Sequence, residues 1–386
     1  MRVLGIDPGT KSFDLAVVED GRVAWERSIE TARIAADPSI LLEAVDEAGG
    51  VDAIAAPSGY GVPVTRSSEV LNARRLAVSV LLLSTEEEIE EGVRRGDVGA
   101  LVYSALARVV ETLVKRGTPE SVFIPGVVHL PTVEPHAKYN RVDLGTADKL
   151  AVAVLAVYQE ARRSPREANF MLLELGYGYN ALMLVEKGRV VWGLGGTSLS
   201  TGMLTAGPLD LEVVALGRTW SRVDVFHGGV MEACGVVEPE QAAARALNST
   251  GPCRDAYEAM LDSIATVVAG LYARRGVRRL LLSGRLSASR RIADDIASRL
   301  PGGIQVEKLE PLEGAEASKH AAQGYALEVE GLLGGSSANV VRHMRIAEAC
   351  GTALDHVVHP NLKEAKRRVL EAYTSSVAEP KLCSGS

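Results

Sequence analysis

A chain of 386 residues exceeds what one ordinary hydrophobic core supports, so two domains are expected. With 47 % hydrophobic and 24 % charged residues it is composed like a soluble globular protein, and with only 4 % aromatics its core must be mainly aliphatic. A net charge of −7 argues against a nucleic-acid partner, and an apolar run such as residues 76–83 is far too short to span a membrane. The sequence begins directly on a strand pattern, so no signal peptide is expected. Its four cysteines, Cys234, Cys253, Cys350 and Cys383, form no C-x-x-C pair. Reduced thiols and a cytoplasmic location are the expectation, without a zinc ribbon or a redox motif.

In chain order, Val3-Leu4-Gly5-Ile6-Asp7 is an apolar run ending in a carboxylate, and Pro8-Gly9-Thr10-Lys11 reads as a tight turn. Residues 13–18 form a second strand, Asp20-Gly21 a hairpin turn and residues 23–29 a third strand. A glycine turn with an acid at its lip can offer backbone N–H groups to a phosphate while the acid holds Mg²⁺ through water. Residues 38–48 are helical and stop at Gly49-Gly50. After a short strand at 51–56, Pro57-Ser58-Gly59-Tyr60-Gly61 lies where a strand would end. This loop is either a ligand-facing carboxyl-end loop or a plain surface turn. Residues 64–120 read as mainly helical, with the acidic run 86–91 on a solvated face. A bent strand at 122–131 precedes Arg141, Asp143, Thr146, Asp148 and Lys149, which open an apolar helix at 150–160. Capping by Asp143 or Thr146 would explain one acid but not the whole cluster, so a site role is expected for it.

The first hairpin has a second copy. Residues 170–174 are an apolar run ending in Glu174, followed by Leu175-Gly176-Tyr177-Gly178, a strand at 181–185, the turn Lys187-Gly188 and a strand at 190–192. Asp7 and Glu174, Gly9 and Gly176, Gly21 and Gly188, and Trp25 and Trp192 are each 167 positions apart. Two such hairpins point to a duplicated fold, each half supplying one jaw for a nucleoside triphosphate. The loop Gly193 to Ser198, with Gly195, Gly196 and Thr197, could line a phosphate or substrate. A long helix at 255–274 leads to the strand 279–283, and Gly284 would let the chain pass beneath a flat ring. Helices at 287–300 and 316–332 follow, then a helical tail at 336–380 and an end, 381–386, expected to be disordered. The tail could cover a homodimer interface or brace the first domain. The expected domains are 1–165, 166–335 and the tail.

This order of parts resembles the actin-like ATPase superfamily of sugar kinases, acetate kinase and actin, over residues 1–335. Three stretches, residues 56–61, 140–149 and 195–198, also resemble an archaeal family described as predicted butyrate kinases. The resemblance implies two ribonuclease-H-like α/β domains with ATP and Mg²⁺ bound in the cleft between them. It places Asp7 near the metal, Gly9 and Thr10 at the phosphates, Gly176 and Gly178 at the other phosphates, and Gly284 under the adenosine. Many members carry Asp where this chain has Glu174, whose carboxylate can still reach Mg²⁺ through water.

Phosphoryl transfer to a small acceptor is the expected reaction. Asp7 would serve Mg²⁺, with Glu174 and Asp143 in water-mediated contact, and Lys11 or Lys149 would offset charge at the γ-phosphate. A carboxylate acceptor needs no general base but does need a cation, for which Arg141 is the candidate; a surface salt bridge is the alternative role for that residue. With an alcohol acceptor, Asp143 would be the base. The rivals are a non-catalytic ATP-binding regulator and a nuclease of the same core fold. His356-x-x-His359 as a metallohydrolase motif lacks an acid constellation and reads better as helix-end packing.

Overall fold

The computed structural model describes residues 1–160, 164–217 and 220–383. The chain divides into two compact units, one of Met1–Ala168, Val185–Gly193 and Glu310–Ser386, the other of Asn169–Leu184 and Leu194–Leu309.

In the first unit, β1 (Arg2–Pro8), β2 (Ser12–Glu19) and β3 (Arg22–Glu30) form an antiparallel meander. Their apolar runs carry Val3, Leu4, Ile6, Phe13, Leu15 and Val17 into full burial, as a covered sheet requires. A helix α1 (Thr31–Ala36), absent from the sequence reading, precedes α2 (Ser39–Glu47). Next, β4 (Ala53–Ala55) pairs in parallel with β1. The stretch read as mainly helical opens with a two-residue strand, β5 (Thr65–Arg66), and holds α3 (Ala73–Arg75), a π-helical turn at Leu76–Leu81, α4 (Glu86–Arg95) and α5 (Val98–Arg116). Thr85 and Glu88 close a capping box on α4, and Gly96 ends it in the left-handed region, so the acidic run serves the positive end of a helix. β6 (Glu120–Phe123) completes a sheet ordered β3-β2-β1-β4-β6-β5. After α6 (Pro135–Lys138) comes α7 (Ala147–Glu160).

The second unit holds most of a second sheet, ordered β11-β10-β7-β8-β9, from β7 (Phe170–Leu175), β8 (Asn180–Glu186), β9 (Arg189–Leu194), β10 (Arg279–Ser283) and β11 (Gln305–Lys308), although Arg189–Gly193 of β9 count with the first unit. Its helices are α8 (Leu211–Gly217), α9 (Val230–Cys234), α10 (Pro239–Leu247), α11 (Pro252–Arg275) and α12 (Arg290–Ala297). Thus the expected helix at 287–300 begins as a 3-10 turn and is capped by Ser289.

The chain then returns to the first unit as α13 (His320–Leu332), α14 (Ala338–His343) and α15 (Lys363–Ser376). Two glycines allow α13 to lie directly on its neighbours. A Cβ on Gly5 of β1 would stand 2.0 Å from the Ala322 carbonyl, and one on Gly324 would stand 2.1 Å from that of Ala151 in α7. This packing is why the compact units interleave in sequence instead of following the expected 1–165 and 166–335 ranges, and why the tail belongs with the first unit.

The expectation of reduced thiols does not hold. Cys234 bonds to Cys253 and Cys350 to Cys383, pairs 19 and 33 residues apart that only tertiary packing juxtaposes. Of the end expected to be disordered, Lys381–Cys383 are held by this second disulfide and by the Lys381 N–H on the Tyr373 hydroxyl at 2.9 Å, while 384–386 lie outside the described residues. No described helix is long and apolar enough to cross a membrane.

Candidate functional site

The site in the first unit starts at the β1–β2 turn. Gly9 N–H donates to Asp7 O at 3.1 Å and Ser12 O at 3.0 Å, and the Thr31 hydroxyl grips Gly9 O at 2.7 Å from outside. Thr10 is half-buried in the turn and Lys11 exposed. Asp7 and Asp14 face each other as register partners across β1 and β2, only 4 % and 2 % exposed. Like charges opposed on neighbouring strands are destabilising unless a cation joins them. Lys319 is that cation: its Nζ lies 2.5 Å from Asp14 Oδ2 and 3.3 Å from Asp7 Oδ2, and donates to Ser12 O at 3.3 Å. The Ser12 hydroxyl adds a 3.1 Å bond to Asp14 Oδ2. Lys319 is itself anchored, because Glu26 of β3 accepts the N–H groups of Glu316, Ala317 and Ser318 just ahead of it at 2.8, 2.5 and 2.9 Å.

Two further elements converge here. In the first turn of α7, Asp148 accepts the Thr146 hydroxyl and pairs with Lys149 Nζ at 2.5 Å. From α13, the fully buried Tyr325 places its hydroxyl 3.3 Å from Ser58 N–H, in the loop after β4. Burial pushes the Asp7 carboxyl up to about 6; Lys319 opposes this, while Asp148 and Asp14 add to it. Burial also works to raise Asp148, but Lys149 and Thr146 outweigh it and hold that carboxyl below the usual range. The Tyr325 hydroxyl is driven well above its ordinary value by burial and then by Asp148 and Asp7, so it stays protonated. The arrangement is a row of carboxylates and ammonium groups beside a glycine turn, at the carboxyl ends of β1 and β4. Such edges of α/β sheets bind ligands.

Of the expected 140–149 cluster, Lys149 and Asp148 enter this row. Asp143 turns one oxygen back on Gly145 N–H at 2.9 Å, and Arg141 is exposed. Asp14, Lys319, Tyr325 and Ser58 were not singled out as site residues. A buried acid inside the otherwise apolar run Phe13 to Val18 was the available signal for Asp14.

The second unit repeats the backbone without this charge. Gly176 N–H donates to Tyr179 O at 3.0 Å. Glu174 ends β7 at 8 % exposure, in register with Ser283 of β10. Gly284 has φ of +84°, and a Cβ there would meet Leu175 O at 2.4 Å and Glu174 Oε1 at 2.5 Å, so Glu174, Gly176 and Gly284 are brought to one corner. Gly178 accepts Leu204 N–H at 3.1 Å. Gly195 leads into a 3-10 turn at Gly196–Ser198, and Thr197 of that turn lines a cavity of about 710 Å³ with Leu209, Val213, Trp220 and Asp224.

Among the described residues no group of three or more His, Cys, Asp or Glu is placed to hold a metal ion. The donor set at Asp7 does not suit a divalent ion ligated between the two acids, since Lys319 already bridges Oδ2 of Asp7 and Oδ2 of Asp14.

No curated protein matches the chain in sequence. Among solved structures it is similar to a propionate kinase from Francisella tularensis subsp. tularensis SCHU S4, at 13 % identity and a TM-score of 0.55, covering 84 % of this chain and 98 % of that one. It is also similar to acetate kinase from Entamoeba histolytica, at 12 % identity and a TM-score of 0.50, covering 78 % and 86 %. At these identities the likeness speaks for the fold, which is the two-domain α/β fold of the acetate and propionate kinases with a helical C-terminal segment. A family described as "Protein of unknown function (DUF1464)" matches residues 5–359, and the chain belongs to it.

Proposed function

We propose that the protein is an ATP-dependent phosphotransferase, with a short-chain carboxylate as its acceptor. The observation that carries the reading is the tight glycine turn after β1, with the Lys319 ammonium set against Gly9 and Lys149 near enough to act on the Asp7 carboxyl. A phosphate chain needs such a backbone cradle and such counter-charge. In this reading Gly9, Thr10 and Lys11 meet the terminal phosphates. Gly176, Gly178 and the Gly195-Gly196-Thr197 turn serve the remaining phosphates, and Gly284 leaves room for the adenosine. Lys149 offsets negative charge as the γ-phosphoryl group moves. For magnesium the proposal keeps only the water-mediated contact expected of Asp7 and Glu174, and no step depends on it.

The acceptor class rests on the cavity beside Thr197, where Leu209, Val213 and Trp220 offer a hydrocarbon tail more than they offer a sugar. A carboxylate is ionised at neutral pH, so its oxygen attacks phosphorus as ADP leaves, and no proton needs to be removed. Arg141 would relieve the repulsion between acceptor and nucleotide. An alcohol acceptor would call on Asp143 as base instead.

The test incubates the protein with Mg²⁺·ATP and a panel of short-chain acids, trapping acyl phosphate with hydroxylamine. A signal for one acid, lost in Asp7→Asn, supports the reading. Tight ATP binding with no trapped product from any acid would sink the carboxylate assignment and favour an ATP-gated regulator or an alcohol kinase.

A further inference from the structure

We propose that Lys319 is the resident cation of the β1–β2 hairpin, its ammonium filling the place between Asp7 and Asp14 and meeting the terminal phosphate of a polyphosphate bound at the Gly9 turn. Three features of the geometry lead there. First, the two carboxylates it bridges are register partners buried at the base of the turn, so they require a cation whether or not a ligand is bound. Second, the ammonium is set against the turn itself: a Cβ on residue 9 would stand 2.4 Å from Lys319 Nζ, and only glycine leaves that room. Third, its backbone is fixed by the three N–H groups that Glu26 accepts, which spares the site the cost of ordering a loose lysine.

The contacts of the ammonium are not equivalent. Asp14 and Asp7 are ionic partners, whereas Ser12 O is a neutral carbonyl that already accepts Gly9 N–H at 3.0 Å. A phosphate oxygen reaching the turn can take over the N–H that points at Ser12 O. The exchange replaces a neutral acceptor by an ionic one and leaves Ser12 O satisfied. A further consequence concerns metals. With Lys319 on Oδ2 of both carboxylates, the nucleotide-free hairpin is expected to bind no divalent ion between them.

The identity of the anion rests on the phosphotransfer reading, but the role of the cation does not, and the experiment separates the two. One arm leaves Lys319 in place: Mn²⁺ is titrated into the nucleotide-free wild type and into Asp7→Asn and followed by electron paramagnetic resonance. The expected result is no bound ion that Asp7→Asn removes; a stoichiometric Mn²⁺ site lost in Asp7→Asn would overturn the proposal. The second arm measures binding of ATP, inorganic triphosphate and AMP to the wild type and to the charge-balanced variant Lys319→Met/Asp14→Asn. A loss of about tenfold or more for ATP and triphosphate, with AMP unchanged, is expected for a charged contact at the phosphate end. An equal loss for AMP, or no loss at all, would refute the phosphate contact. If the wild type binds none of the three, the phosphotransfer reading fails with the phosphate contact, while the Mn²⁺ arm still decides whether Lys319 is the hairpin's cation.

Discussion

Residues 7–21 and 174–188 repeat one backbone. Each closes a glycine N–H onto the carbonyl three residues ahead at 3.0 Å, Gly9 on Ser12 and Gly176 on Tyr179. Each ends in a hairpin turn with two positive φ angles, 51° and 77° at Asp20 and Gly21, 50° and 70° at Lys187 and Gly188. Their chemistry differs. The first buries a pair of acids, Asp7 and Asp14, under Lys319, the residue that caps the start of α13. In the second, the residue 167 positions after Asp14 is Ala181, buried and apolar, and Glu174 abuts Gly284. The difference teaches that local sequence sets the turn, while the charge the turn can present is supplied by whichever helix returns to it.

The largest test of this contrast moves the charges. Lys319→Met leaves Asp7 and Asp14 opposed without a cation and should cost about 3 kcal/mol in urea unfolding, with Asp14→Asn restoring more than half. Ala181→Asp places the missing acid in the second hairpin, where among the described residues no lysine is one of the groups nearest Gly176 as Lys319 is to Gly9, and should cost about as much. Next come the turns. A Cβ on Gly188 would stand 2.1 Å from the backbone carbonyl of Pro165, whereas on Gly21 it would meet only the far end of Tyr158 at 2.2 Å. Both turns carry left-handed strain, so Gly21→Ala should cost about 1 kcal/mol, and Gly188→Ala about 2–3 kcal/mol because a backbone must also shift. Thermal melts of the two variants compare them directly.

The last effect is a pH slope. With its carboxyl pushed up to about 6, folded Asp7 keeps a proton that the unfolded chain releases near 3.8. The folded state then binds more protons, so this contribution is present at acid pH and is lost as pH rises through about 6. Asp7→Asn should flatten that part of the curve of melting temperature between pH 4 and 7.

Much of this was legible in the residues. Glycine turns, the 167-residue repeat and the apolar strands are local signals, because positive φ and continuous burial each leave a mark on neighbouring positions. The loop Pro57 to Gly61 read equally as a ligand-facing loop or a plain surface turn, and the structure sets its Ser58 N–H on the Tyr325 hydroxyl. Arg141 drew attention for its charge, yet it is exposed, since a polar cluster in sequence need not point one way in space. The disulfides were missed for the converse reason: cysteines 19 and 33 residues apart leave no local trace of pairing.

The sequence by itself determined two glycine-turn hairpins, the α/β class and the duplicated plan, all of which follow from torsion preferences and hydrophobic runs a few residues long. Only the tertiary structure decided which charges share the first turn. Lys319 stands 312 positions from Asp7, and it arrives because Gly5 and Gly324 let α13 lie flat on β1 and α7. Electrostatic energy depends on distance through space and on exclusion of water, neither of which is encoded in spacing along the chain.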